Sequence, residues 1–381
     1  MTALPDVLAE HAENCVLLWP VRQVATLLPH LGLTELARSD ERLIAHLDGL
    51  RLAGAEGLTA VLDAAPKEPG AAWAATILAA EQDRLPELPA AACLPTAVWW
   101  MDSATALRAV TQWQKSHPGA ALIAGALLGR PDSACAQAVA AADPALALAA
   151  CTAALYAGDR AAALAARTRL ADPHAPLAAA AARLAALVLG DTAAADQLRT
   201  APALADRILA ARCAPQTNAP GRAGFLAALA LGTSAQIPAL LQAMPDPALA
   251  RAAGEAFSTI TGCDLEREGL TGPAPAAAPE SLSADPAVED TALPDDLELP
   301  WPDAGKVSAW WQARAGSFPA ERLLGGRPLS QARVVLADGT QRQRWAAAIE
   351  LVRAQPGPLF PWADAPAAHQ RRLLAQMGGG A

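Results

Sequence analysis

Rings are scarce in this chain. Aromatic residues make up 4% of 381, as ten Trp, four Phe and one Tyr. Lysine is nearly absent too: Lys67, Lys115 and Lys306 are the three among 29 basic residues. Six cysteines (Cys15, Cys93, Cys135, Cys151, Cys213, Cys263) form no CxxC pair, which fits buried, reduced thiols rather than a disulfide framework or a metal knuckle. Apolar runs such as 144–158 fall short of the ~20 residues of a membrane span. The opening MTALPDVLAEHAENC carries acids where a cleavable leader needs positive charge. A soluble cytoplasmic protein is therefore expected. Phosphate loops, dinucleotide fingerprints, HExxH and Gly-x-Ser-x-Gly elbows are all missing. Of the histidines (His11, His30, His46, His117, His174, His369), only His11 stands four residues from a second ligand type, Cys15, with no third nearby. Two carboxylate pairs invite an acid–base reading. Asp40–Glu41 is better explained as the acidic first turn of a helix capped by Ser39. Asp295–Asp296 lies in an acidic stretch unsuited to holding catalytic geometry. The expectation is a protein with no metal, no cofactor and no catalytic residue.

Alanine fills the space instead, at about a quarter of the chain. It is the best helix former and lets helices pack closely. From Pro118 to Gly262 a unit recurs: an Ala-rich helix, a Gly stop, a second helix, then Asp-Pro. The first helices end in ALLGR (126–130), LYAGD (155–159), LVLGD (187–191) and LALGT (229–233). Gly129, Gly158, Gly190 and Gly232 suit the left-handed position that closes a helix. Asp143-Pro144, Asp172-Pro173 and Asp246-Pro247 read as N-cap and first helical residue of the next unit. Two helices at a period near thirty residues predict an all-α fold built as an α-solenoid.

Three segments follow. Residues 1–263 are the solenoid, with 1–117 a degenerate or capping part and 118–262 the clearest repeats. Within the first part, 5–28 read as two short helices broken at Trp19-Pro20, with Leu8, Cys15, Leu17, Leu18 and Val21 facing inward. The run 40–54 is an amphipathic helix burying Leu43, Ile44, Leu47, Leu50 and Leu52. Residues 264–303 are an acidic Pro/Ala-rich arm or linker of net charge −10, whose end (Leu297, Leu299, Trp301) is apolar enough to dock, the basic segment after it being the nearest candidate. Residues 304–381 form a small helical module of net charge +6. Here Asp303 caps a helix carrying Trp310 and Trp311, GGRP (325–328) turns, and Trp345, Ala348, Ile349 and Val352 share one face of the helix after Thr340.

Candidate partner-binding residues are Trp99, Trp100, Trp301, Trp310, Trp311, Arg322 and Arg327. Most Trp in an Ala-rich stack fill gaps, and Trp99 and Trp100 are the pair that would line a partner pocket. The module's arginines (Arg322, Arg327, Arg333, Arg342, Arg344, Arg353) serve carboxylates of the arm and its neighbours, a protein partner or, less readily, nucleic acid. An overall charge of −9 speaks against nucleic acid and nothing speaks for a membrane.

The helix end FSTITG (257–262), with LLWPVR (17–22), DERLIAHLDGLRLAG (40–54), WW (310–311), RLLGGRP (322–328) and QRQRWAAAIEL (341–351) in that order, resembles a family of bacterial proteins with HEAT-like repeats. The resemblance implies a HEAT-like α-solenoid with a C-terminal helical module and no catalytic residues. Genes of this kind sit near type VI secretion effector and spike genes. It thus implies a non-enzymatic scaffold that binds another protein, an adaptor or accessory for such a component. The alternatives are an immunity-type inhibitor of a toxin, or a HEAT-type nucleic-acid enzyme of the DNA-glycosylase kind.

Overall fold

A computed structural model describes residues 4–26, 28–64, 67–88, 94–216, 221–275, 296, 298–355 and 363–378. Cys93, Asp295, Leu297 and most of the acidic segment lie outside them. The chain is all-α, with a two-stranded hairpin among the described residues. Its contacts divide it into two compact units, 1–27 with 31–194 and 352–381, and 28–30 with 195–351. This partition runs across the three segments read from the sequence.

The first unit contains α1 (Pro5–Ala25), α2 (Leu33–Leu52), α3 (Ala55–Ala64), α4 (Pro69–Glu81), α5 (Ser103–Ser116), α6 (Pro118–Leu127), α7 (Cys135–Val139), α8 (Pro144–Ala157), α9 (Arg160–Ala166) and α10 (Ala175–Leu189). Residues 5–25 make one helix, not two, with Pro20 inside it. Proline lacks the N–H that would bond the carbonyl four residues back, here that of Val16. Gly70, at the start of α4, runs against that same turn: a Cβ there would lie 2.8 Å from the Val16 oxygen. The packed face is Leu8, Ala12, Cys15, Trp19, Arg22 and Ala25, so Leu17 and Val21 point outward, contrary to expectation. The α2 helix starts at Leu33 rather than after Ser39, capped by Glu35, whose carboxylate accepts from the Gly32 N–H at 3.1 Å. Leu36, Leu43, Leu47 and Leu50 are fully buried, whereas Ile44 and Leu52 are exposed.

In the repetitive stretch α6 packs on α8, and α8 on α10, while α7 and α9 pack beside them. Methyl groups meet methyl groups here. Ala150, Ala154, Ala181 and Ala185 are fully buried, and a Cβ on Gly119 would come within 3.0 Å of the Ala149 Cβ. Gly129, Gly158 and Gly190 adopt φ of +71°, +62° and +70°, as their helix-ending position requires. Asp143 caps α8 as expected. Asp172, however, precedes the helix; of the backbone it accepts from the His174 N–H, and its other oxygen accepts from Arg169 at 3.1 Å. The aspartates that follow the stop glycines do more: Asp159 caps α9, and Asp191 accepts from the Ala193 and Ala194 N–H groups.

After α11 (Thr192–Gln197), the second unit contains α12 (Leu204–Cys213), α13 (Gly221–Leu231), α14 (Ile237–Ala243), α15 (Ala250–Thr261), α16 (Ala304–Arg314), the hairpin β1 (Leu323–Leu324) and β2 (Arg327–Pro328), α17 (Ala332–Asp338) and most of α18 (Gln341–Ala354). Asp246 likewise sits ahead of its helix, accepting from the Ala248 N–H, and α15 begins at Ala250. Ile237, Leu240, Phe257, Ile260, Val307 and Leu323 form the core. The RLLGGRP turn is a capping device. The Leu323 N–H donates to the Gly232 carbonyl at 2.6 Å, beyond α13, while those of Gly325 and Gly326 donate to Thr259 and Ile260 at 2.7 and 3.0 Å, at the end of α15. Such close approach forbids side chains: a Cβ on Gly262 (φ +73°) would sit 2.5 Å from the Gly325 carbonyl oxygen.

The last helix, α19 (Ala367–Gly378), belongs to the first unit. Its attachment explains why Asp40 is buried. Arg22 donates to Asp40 at 2.9 Å and to the carbonyls of Asp364 and Ala365 at 2.5 and 2.9 Å. The other Asp40 oxygen accepts from the Ala367 N–H at 2.6 Å. Asp40 is therefore an N-cap for a distant helix, not the first-turn acid of its own, and the macrodipole of α19 favours its charge.

Candidate functional site

A cleft of about 250 Å³ opens in the first unit. The 3₁₀ turn 95–100 brings Trp99 to one wall, α6 brings Leu127, α8 brings Tyr156, and α19 brings His369 and Arg372. The ring centroid of Trp99 lies 6.1 Å from that of Tyr156, edge to face, and 5.7 Å from that of His369. Burial, and then the Arg372 charge, lowers His369 to about 4, so the imidazole is neutral at pH 7. Burial also raises the Tyr156 phenol well above its usual range, with the Asp364 charge adding to it. Arg372 is exposed. The Trp99 Nε1–H is enclosed in the wall and has no acceptor. This arrangement can hold an apolar group; it offers donors at its edge and no activated nucleophile.

Asp364 borders the site. As a residue it is half-buried, but its Oδ1 is sealed from solvent with no hydrogen-bond partner, and burial raises its carboxyl to about 7 despite the nearby Arg22.

The other singled-out residues are placed elsewhere. Trp100, next in sequence to Trp99, faces away into a cluster with Trp73 at 5.2 Å and Trp19 at 6.0 Å, under the Arg22 guanidinium. In the second unit Trp301 lies 4.6 Å beneath Arg251 of α15, which also donates to buried Asp296 at 3.2 Å. The end of the acidic segment thus meets α15 through these two residues. Trp310 and Trp311 flank Phe257 and Phe318, and the Trp310 indole donates to Glu268 at 3.2 Å.

Arg322 bonds the carbonyls of Ala230 and Leu231 and the Glu350 carboxylate. Fully buried Arg212 donates to the same carboxylate at 2.9 Å. Arg342 pairs with Glu255 at 2.5 Å, and buried Arg344 donates to the Leu336 carbonyl at 2.8 Å. The face of α18 is therefore not purely apolar, because Arg344 lies inside with Ala348 and Ile349. Arg327 remains exposed, reaching only Gln331 at 3.4 Å.

Cys15, Cys135 and Cys263 are buried thiols pushed up to about 12, and Cys151 to about 11, chiefly by desolvation. His11 meets His46, Nδ1 to Nδ1 at 3.1 Å. Among the described residues no three His, Cys, Asp or Glu are placed to hold a metal ion, and no helix is long and apolar enough to cross a membrane.

Tyr156, His369 and Arg372 carry no sequence motif. Their signal is slight: Tyr156 is the lone tyrosine, and HQRR sits on an amphipathic helix. Neither family models, nor curated proteins, nor solved structures match the chain.

Proposed function

We propose that this chain is a non-enzymatic scaffold that binds another protein, with its repeated helix pairs stacked as a HEAT-like α-solenoid. The observation that carries the reading is the outer side of α1. Val7, Leu17, Val21 and Val24 are 43%, 66%, 58% and 53% exposed, and Leu4, just ahead of the helix, is 69% exposed. They account for five of the nine large hydrophobics exposed among the described residues, so the apolar surface is concentrated rather than scattered. Concentrated apolar surface marks protein–protein contact more than small-molecule chemistry. Internal use of Arg212, Arg322, Arg342 and Arg344 speaks against a basic nucleic-acid face. The resemblance to HEAT-like proteins encoded beside type VI secretion genes makes an effector or spike component the first partner to test.

The test is a tagged pull-down from native lysate, read by mass spectrometry, with wild type beside a Leu17→Glu, Val21→Glu double variant. A stoichiometric protein captured by wild type and lost by the variant supports the reading. No stoichiometric protein, or equal capture by both, overturns it.

A further inference from the structure

We propose that the outer side of α1 takes an amphipathic helix of another protein, apolar along one stripe and carrying Lys or Arg beside it. This rests on the protein-binding reading and names the chemistry of the partner at that same surface.

Spacing and charge define the occupant. Val7, Glu10, Asn14, Leu17, Val21 and Val24 follow one another at alternating intervals of three and four residues, the a and d positions of a heptad. Val7 and Val21 are β-branched at a, and Leu17 stands at d, the residue types that a two-helix seam favours. Asn14 is partly buried at the middle a position, where a polar residue sets register at some cost in strength. From Val7 to Val24 the stripe runs roughly 26 Å at about 1.5 Å per residue, long and narrow enough for a second helix to lie along it. The opposite side of α1 is packed through Leu8, Ala12, Cys15 and Trp19. A helix apolar on both sides is ordinarily covered on both, and here one side is open. Charge then selects among helices. Glu10 stands in the seam at d, and Asp6 and Glu13 occupy the g positions along one edge. All three are exposed and form no salt bridge among the described residues. Charges flanking a seam decide which helix pairs with which, so this acidic edge asks for Lys or Arg on the partner. A second copy in parallel would set Glu10 against Glu10, which disfavours self-pairing.

The experiment titrates the full chain into fluorescein-labelled peptides and follows anisotropy at about 0.15 M salt, where long-range attraction is screened. The basic probe is three copies of Ile-Ala-Ala-Leu-Lys-Gln-Lys. The acidic probe has Glu in place of Lys, and the polar-seam probe keeps Lys but has Gln in place of Ile and Leu. The basic probe should bind saturably and about tenfold more tightly than either of the others. Leu17→Glu, Val21→Glu protein should lose that binding. Glu10→Lys, Glu13→Lys protein should prefer the acidic probe to the basic one, a gain that unfolding cannot produce. Absence of saturable binding, equal binding of the basic and polar-seam probes, or a preference unchanged by Glu10→Lys, Glu13→Lys overturns the proposal. A wild-type dimer in sedimentation equilibrium that Leu17→Glu, Val21→Glu dissociates also overturns it, in favour of a second copy. A lysate protein lost by Leu17→Glu, Val21→Glu but kept by Glu10→Lys, Glu13→Lys overturns the basic helix and leaves the protein-binding reading standing.

Discussion

Both units bury arginine against a carboxylate, and Arg22 in the first and Arg212 in the second are used differently. In the first unit Arg22 meets a single carboxylate, and Asp40 divides its oxygens between that guanidinium and the free N-terminus of α19. In the second, Glu350 serves Arg212 and Arg322 together, and both arginines also take up carbonyls at the end of α13. A guanidinium with five donors is suited to both tasks, tying a carboxylate to backbone groups that lack partners. The lesson is that Ala-rich helices, with few polar side chains, leave their ends to be finished by residues far away in sequence.

Breaking the two centres tests this most severely. Glu350→Ala leaves Arg212 buried without its carboxylate and should lower stability by about 3–5 kcal/mol; Asp40→Ala should cost a similar amount. The two should differ in place. Hydrogen exchange should rise in α19 for Asp40→Ala, and at the end of α13 for Glu350→Ala. Equal, diffuse exchange in both variants would remove the distinction drawn here.

A milder contrast uses stop glycines with the same backbone conformation. Gly262→Ala would force a Cβ against the Gly325 carbonyl and should cost about 1–3 kcal/mol by denaturant titration. Gly190→Ala has φ +70° but nothing within 4 Å, so only the intrinsic left-handed penalty of about 1 kcal/mol applies. If Gly190→Ala proved the worse, the close approach of hairpin and helix would be in doubt.

Acidity sharpens the reading of the first unit. Asp364 has a folded value of about 7 against an ordinary 3.8, so its contribution is full below about 4 and lost as pH rises through 7. His369 runs the other way. Its folded value of about 4 lies below an ordinary 6.5, so its contribution is present above 6.5 and lost as pH falls towards 4. Between these limits the slopes oppose. Asp364→Asn should leave stability rising with pH, and His369→Phe should leave it falling; identical profiles would exclude both assignments. The smallest effect is expected at Leu52, 92% exposed, where Ala should change stability by no more than about 0.5 kcal/mol.

Much of this was legible in the chain, and the limit is physical. Gly129, Gly158, Gly190 and Gly232 stop helices because a left-handed residue is a local matter of φ and ψ. The same holds for Asp143 and Asp303, whose carboxylates bond the N–H groups two or three residues on. Trp99 stood out as an aromatic in an Ala-rich stack. The rest of its cleft did not, since Tyr156, His369 and Arg372 come from helices with no spacing relation to it.

By itself, then, the sequence determined that the chain is helical, where most helices stop, and that alanine would let them pack closely. Those properties depend on the residue and its near neighbours. Only the tertiary structure decided which side of α1 is covered, that Pro20 stays within a helix, and that Asp40 caps a helix more than three hundred residues away. An apolar side chain is satisfied by any apolar neighbour, and a buried carboxylate by any donor of suitable geometry. Periodicity shows that a partner is needed, and packing chooses which one.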